Sequence, residues 1–478
     1  MQVTPWLWWI RRDLRLEDNP ALCWAASAGT VIPVYIHTAG DGGLHAPWQV
    51  GEASSWWLHH SLSSLQARLH AIGSRMVIRT GGPATTLATL VRETGAAGVA
   101  WNRLLEPAHM AIEQRLVDTL QAQSTTTHIG QADLIHEPAD LLTGAGTGYR
   151  VFTPFWRTLR RQDMPPEPVA QPQILAPDQW PASVSLASLG LLHSHNWADG
   201  LAAAWTPGEI GAQDRLRNFA EEVSSYEDQR NLPAKTGTSS LSPHLHFGEV
   251  SPRQAWWVAL EAAGDRAEPW LRQLAWREFA HHLLWHEPAT IERPLRPAFE
   301  HFPWSPDPAL QRAWQRGQTG YPLVDAGMRQ LWHTGWMHNR VRMVVASFLV
   351  KDLLQPWQDG ARWFWNTLVD ADLANNTMGW QWTAGCGADA APFFRIFNPT
   401  AQGKRFDPLG QYVRHWVPEI SGLSDRWIHE PWRAPDGELA TAGVSLGESY
   451  PRPIVDHSRA RKQALAAYQR TKSSSSQT

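Results

Sequence analysis

Cysteine is nearly absent: the chain of 478 residues has two, Cys23 and Cys386. That excludes a disulfide scaffold and a zinc site built from cysteine. No apolar run reaches the roughly 18 residues of a membrane helix, the longest comparable stretch being 344–350. Lysine is scarce as well, five against 37 arginines, and the net charge is −3. A protein that coats nucleic acid without specificity carries excess positive charge. Here residues 1–200 hold 13 basic and 16 acidic side chains and the rest holds 29 of each, so any DNA contact must come from a local cluster. No secretory leader precedes the first apolar segment, so a reducing, cytoplasmic location is expected.

What is present is a core-forming composition, 43% hydrophobic, which excludes disorder for most of the chain. At roughly 100–200 residues per domain the length predicts two to three domains. Tryptophan occurs 29 times, 18 of them beyond residue 200, a heavy usage for a globular protein. Residues 6–10 and 31–36 read as buried strands with a helix-like stretch at 19–26 between them. A helix at 52–72, a strand at 75–79, a helix at 84–94 and a strand at 97–101 follow. This alternation predicts an α/β unit with a parallel, doubly wound sheet over residues 1–130. No GxGxxG follows the first strand, so the usual dinucleotide fingerprint is missing. Six prolines between 160 and 185 predict a surface connection, placed at 131–200. Segments 208–224, 252–263, 269–285, 307–317, 323–333 and 336–355 have helical spacing, so 201–470 is expected to be all-helical, with a polar Ser-rich tail at 471–478.

Four stretches carry chemistry. Tyr226-Glu-Asp-Gln-Arg230 leads through Gly237-Thr-Ser-Ser-Leu-Ser242 to Pro243-His-Leu-His-Phe-Gly248. Hydroxyl residues after a glycine and before a helix offer donors to a phosphate, and they equally make an ordinary helix cap. In 271–279, helical spacing puts Gln273, Trp276, Arg277 and Ala280 on one face. An amide, an indole and a guanidinium together suit a flat heterocycle with a phosphate nearby; alternatively Trp276 is core and Arg277 pairs with a carboxylate. Around 336–343 the same spacing aligns Trp336, Asn339, Arg340 and Met343, the methionine being an adaptable contact for an aromatic face. Lastly, Asp370 and Asp372 stand two apart, as a metal pair can. The amides and indoles after them, Asn376, Trp380 and Trp382, and the segment from Asp389 to Pro399, suit a redox heterocycle better than a hard cation.

Arg11-Arg-Asp-Leu-Arg-Leu16 after the first strand resembles the opening of the DNA photolyase/cryptochrome family. So do Gly237-Thr-Ser-Ser-Leu-Ser, Trp276-Arg-Glu-Phe, Gly320-Tyr-Pro-Leu-Val-Asp-Ala-Gly-Met-Arg, Gly335-Trp-Met-His-Asn-Arg, Asp370-Ala-Asp-Leu and Phe394-Arg-Ile-Phe-Asn-Pro. The resemblance runs in order from residue 6 to about 420. It implies a Rossmann-like antenna domain, a helical domain holding FAD, and splitting of cyclobutane pyrimidine dimers in DNA by electron transfer from reduced FAD under light. By match to the family motifs, Tyr226, Thr238, Ser239, Leu241 and Ser242 would hold the adenine end and pyrophosphate. Trp336 and Asn339 would flank the bend of the cofactor, Arg342 would pair with Asp370 beside it, and Asp372 and Asn376 would face the ring. Ser240 departs from the arginine many members carry. Gln273, Trp276, Asn339, Met343 and Trp382 would meet the lesion, which is flipped from the duplex. Arg230, Arg277 and Arg340 would sit by phosphates, and Trp380, Trp357 and Trp304 would carry electrons from surface to cofactor.

Three positions divide the substrate assignment. Enzymes for (6-4) photoproducts carry histidines where this chain has Asn339 and Met343, which favours the cyclobutane dimer. Gln273 cuts the other way, since cyclobutane enzymes usually have glutamate there. Trp101, Asn102 and Glu106 lie where the family binds a folate or deazaflavin antenna, with Leu104 or Leu105 in place of the aspartate of some deazaflavin binders. A signalling cryptochrome usually adds a C-terminal extension, and this chain stops about 80 residues after Pro399. The expected partner is damaged DNA, with no membrane and a monomeric protein.

Overall fold

The computed structural model describes residues 4–38, 48–192, 198–389 and 394–475. Five parallel strands, β1 (Pro5–Ile10), β2 (Thr30–His37), β3 (Val77–Thr80), β4 (Gly98–Asn102) and β5 (Thr126–Gly130), stand in the order β3-β2-β1-β4-β5. Side chains alternate with the period of two that a strand imposes. Trp6, Trp8 and Ile10 of β1 join Val31 and Tyr35 on one face, while Leu7 and Trp9 join Ile32, Val34 and Ile36 on the other. The first face also packs on Leu201, Trp205, Phe247 and Val369, so one side of the sheet is roofed by the helical half.

The strand order reverses between β1 and β4, and the loops leaving their carboxyl ends meet at the point where such sheets usually bind ligands. Here that crevice is filled by the chain itself. Arg12 pairs with Glu106, and Asn102 donates to Asp13 Oδ2 at 2.6 Å and to Asn19 Oδ1 at 2.8 Å. Arg15 donates to the Gly248 carbonyl at 2.9 Å, tying this crevice to the helical half. Gly248 has φ +64°, and a Cβ there would strike the Arg12 carbonyl, so only glycine allows the two backbones to meet.

Among the described residues the helical half has two large packing cores. One gathers Phe152–Leu159, Glu209–Glu222, Pro252–Ala263 and Glu268–His286; the other gathers Pro322–Thr334, Asn339–Ser347, Trp357–Thr367 and Leu373–Ala384. The expected helix at 336–355 begins instead at Asn339, because the His338 ring accepts the Arg340 N–H at 3.2 Å as its N-cap. Trp336 therefore lies outside the helix that was expected to align it with Asn339, Arg340 and Met343. The helix ends in a π-type turn at Phe348–Asp352. Within the α/β unit two elements had no counterpart in the expected pattern, the helix Pro107–Gln121 and edge strand β5, whose sequence Thr-Thr-His-Ile-Gly has little apolar signal. The connection after β5 contains a third, Phe152–Leu159, and the C-terminal helix His457–Ser475 runs into the expected polar tail. Among the described residues no helix is long and apolar enough to cross a membrane.

Candidate functional site

Between the two helical cores lies a cavity of about 560 Å³, within the range of small-molecule sites. Its first wall is the helix Glu268–His286, which contributes Trp270, Gln273, Trp276 and Arg277. Trp276 stacks face to face on Phe152 at 3.7 Å and 7°, so the connection after β5 fixes the indole plane from behind. Gln273 donates Nε2 to the Pro269 carbonyl at 3.0 Å and leaves Oε1 3.4 Å from Arg230. Arg277 touches the cavity, but its guanidinium turns away, donating to the Asp133 carbonyl at 2.5 Å and pairing with the Asp133 carboxylate. Of the two alternatives open for Arg277, this geometry is the carboxylate pair.

The second wall comes from 230–246. Arg230, Ser239, Ser242 and His246 line the cavity, and Trp336 donates to Ser242 Oγ at 3.4 Å. Tyr226 and Leu241 are buried in the adjoining core, and Thr238 is half-buried outside the lining. Ser240 takes a left-handed φ of +51°, a conformation that disfavours any side chain.

The third and fourth walls face the first. Asn339, Arg342 and Met343 project from Asn339–Ser347, and Arg342 donates to both Asp370 oxygens at 2.8 and 3.0 Å, the pairing the resemblance implied. Arg340 lies outside the lining, over Phe406 at 4.4 Å and donating to Asn231 at 2.7 Å. Asp372 caps Leu373–Ala384, its Oδ1 accepting from the Asn375 backbone at 2.8 Å and side chain at 2.7 Å. Asn376 commits its N–H to the Ala361 carbonyl at 3.0 Å, leaving its oxygen as the remaining polar group. Trp380 and Trp382 complete the lining, and a Cβ at Gly360 would strike the Trp380 ring. Trp357 is as buried as Trp380, and Trp304 is half-exposed. Trp332 and Trp363 form a separate stacked pair at 5.9 Å.

Ionic groups crowd behind Asp372. Burial disfavours its charge, yet His281, with Nε2 3.3 Å from Oδ2, and then His246 and Arg277 hold it well below the usual carboxylate range. Burial likewise opposes His281, and Asp372 reverses it, raising the imidazole above its ordinary value. Glu106, despite full burial, is held down to about 2 by Arg12 and His109. Glu278, accepting from the Ile135 and His136 N–H groups at 3.0 and 3.1 Å, is pushed by burial up to about 7. Among the described residues no group of three His, Cys, Asp or Glu has the arrangement of a metal site. The donor set fits a flat heterocycle bearing N–H and carbonyl edges: a carboxylate, an amide oxygen and an Arg–Asp pair face indoles, and buried His246 Nδ1 has no hydrogen-bond partner.

Residues 6–173 match the family described as DNA photolyase, and residues 270–470 match the FAD binding domain of DNA photolyase. A deoxyribodipyrimidine photo-lyase of Agrobacterium fabrum is 47% identical, covering 98% of each chain. The crystal structure of a bacterial class III photolyase from Agrobacterium tumefaciens superposes with a TM-score of 0.95 at 47% identity, covering 99% of this chain and 98% of that one. Cryptochrome-1 of Arabidopsis thaliana is 38% identical over 95% of this chain and 69% of its own length. The chain belongs to the DNA photolyase/cryptochrome family.

Sequence reasoning missed Trp270, His246 and Phe364 in the lining. Trp270 stands three before Gln273, so extending the helical face by one turn would have found it. His246 lay inside a quoted motif with no role. Positions 390–393, within the segment from Asp389 to Pro399, lie outside the described residues.

Proposed function

We propose that this chain is a photo-lyase that binds FAD in the cavity and splits cyclobutane pyrimidine dimers in DNA under blue light. One observation carries the assignment: a single cavity joins a ring-binding wall (Arg342–Asp370, Asp372, Asn376) to an aromatic wall suited to two joined bases (Trp276, Trp382, Met343). When bound and reduced, FAD supplies the light-driven electron. Repair breaks the two carbon–carbon bonds joining the pyrimidines, restores two carbon–carbon double bonds, and returns the electron, so no net oxidant is consumed.

The chain's own residues bind and orient. Ser239 and Ser242, with Thr238, Leu241 and Tyr226 behind them, would hold the pyrophosphate and adenine end. Trp336 and Asn339 would flank the bend, and Asn376 would accept a bond from the ring. Trp276, held flat by Phe152, would stack on the flipped lesion together with Trp382. Gln273 and Asn339 would bond the pyrimidine edges. Arg230 and Arg340, at or near the mouth, would take phosphates, while Trp380, Trp357 and Trp304 would pass electrons inward. A folate or deazaflavin antenna would meet an Asn102 already committed to Asp13 and Asn19, and a Glu106 with one oxygen paired to Arg12 and the other without a hydrogen-bond partner. The protein is read as a cytoplasmic monomer with an α/β antenna domain over 1–130, a connection over 131–200 and a helical catalytic domain over 201–470.

Gln273 favours a second reading, repair of the (6-4) photoproduct. Illuminating reduced protein with oligonucleotides carrying each lesion separates them. Recovery of thymine absorbance on the cyclobutane dimer is expected. Recovery on the (6-4) lesion alone overturns the substrate, and recovery on neither leaves a photoreceptor.

A further inference from the structure

Five ionic side chains meet behind Asp372 with little access to water: Asp372 itself, Arg277 paired with Asp133, and Arg12 paired with Glu106. They come from five places in the fold: the loops after β1 and β5, the residue before Pro107–Gln121, the lesion-wall helix and the start of Leu373–Ala384. Two arginines face three carboxylates. The group placed to match the third is His281, which is fully buried with Nε2 3.3 Å from Asp372 Oδ2, while its Nδ1 has no hydrogen-bond partner. Asp372 Oδ1 is committed to Asn375, so Oδ2 is the atom left for an imidazole. A buried imidazolium is costly unless an opposite charge compensates it, and Asp372 supplies that charge.

Resting on the FAD reading above, we propose that His281 is a positioning residue of the cofactor site. As an imidazolium it balances the buried ionic set and holds Asp372 as a carboxylate, so its protonation governs how much negative charge the bound cofactor can accept. The charged and titratable groups around His281 are Arg277 and Glu278 on its own helix, Asp133 on the connection and Asp372 opposite, with His246 across that carboxylate. Arg12 and Glu106 lie beyond Asp133, with His109, which burial holds down to about 3, beside Glu106. Loss of the proton from His281 leaves an unmatched carboxylate beside the cofactor. In a low-dielectric wall that opposes reduction to an anion.

The test compares the full-length FAD-loaded protein with His281→Gln, a neutral side chain, and His281→Arg, a fixed cation. The midpoint potential of bound FAD is followed from about pH 6 to about pH 9, across the range where an imidazole titrates. The wild type should show an inflection beyond that of the cofactor itself. His281→Gln should lose it and favour oxidised over reduced FAD by about tenfold more than wild type. His281→Arg should lose the inflection while keeping the wild-type potential of the acidic limb, and Glu278→Gln should keep the inflection. A His281→Gln protein with wild-type potential and pH profile overturns the proposal. Should that variant fail to retain FAD, an inflection persisting in His281→Arg overturns it. A wild type that takes up FAD with no effect of these changes defeats this inference alone, whereas a wild type that takes up no FAD defeats the cavity assignment with it.

Discussion

Gln273 stands one turn before Trp276 on the cavity wall, and its amide is divided between two partners. Its N–H goes to the Pro269 carbonyl at 3.0 Å and its oxygen faces Arg230 at 3.4 Å. An amide in that position can bond a pyrimidine edge but cannot release a proton to it. Gln273→Glu introduces a carboxyl that can, once DNA phosphate draws Arg230 aside and closes the cavity to water. The variant should split more dimers per photon absorbed, by up to about fivefold, the value of one hydrogen bond strengthened in the reacting state. Actinometry on a dimer-bearing oligonucleotide decides it, and an equal or lower yield in the variant refutes the argument. At this scale the sequence was most legible for side chains on a regular local period. Gln273, Trp276, Asn339, Met343, Asn376 and Trp382, separated by more than 100 residues, do converge on one cavity. His281 and Asp133 were not legible, because a buried charge is explained by its partner. Asp133 lies 144 residues from Arg277, where no periodicity can point to it.

The helix Glu268–His286 shows why whole elements were easier to find than their surroundings. Its 19 residues were expected almost to the end points, yet it is buried on most of its circumference and so has little of the amphipathic contrast of a surface helix. One side faces the cavity. Another is strapped to the connection after β5 through Arg277–Asp133, Glu278 to the Ile135 and His136 N–H groups, and the Tyr149 N–H to His282 Nε2 at 2.8 Å. The prolines at 160–185 correctly signalled irregular chain but hid the role of 133–152, since backbone N–H donors carry no sequence signal. Glu278 makes the strap sensitive to pH. Burial raises its carboxyl from 4.5 to about 7, so the folded chain favours the protonated form. Its contribution to stability is therefore whole below about pH 4.5 and lost as pH rises through about 7, a swing of about 3 kcal/mol. Melting curves of wild type and Glu278→Gln should diverge across that window, the variant gaining relative stability toward alkaline pH. Parallel curves from about pH 5 to about pH 8 would show that the carboxylate is well solvated by its two N–H donors.

On the scale of the whole molecule, a net charge of −3 and a lesion cavity must be reconciled in one DNA-binding surface. Long-range attraction is weak in such a protein, and on the reading proposed above binding rests on stacking within the cavity and on a few arginines near it. Arg230 lines the cavity and Arg340 lies just outside, where burial and then the nearby Arg230 charge lower its guanidinium from the usual value. Arg277 was grouped with them on sequence grounds, but it is buried and its charge is spent on Asp133. Each phosphate contact adds about 0.9 to the slope of log affinity against log salt on duplex DNA. Arg230→Ala and Arg340→Ala should each lower that slope by about 1 and weaken damaged and undamaged DNA alike. Arg277→Ala should leave the slope unchanged and instead destabilise the fold by about 3 kcal/mol, because Asp133 would remain buried without its partner. Salt titrations by fluorescence anisotropy, read beside denaturant unfolding of the same variants, separate the two outcomes. A fall of about 1 in the slope for a fully folded Arg277→Ala protein would return that arginine to the DNA surface. With the slope unchanged, Arg277 belongs to the buried ionic wall that joins the sheet to the cavity.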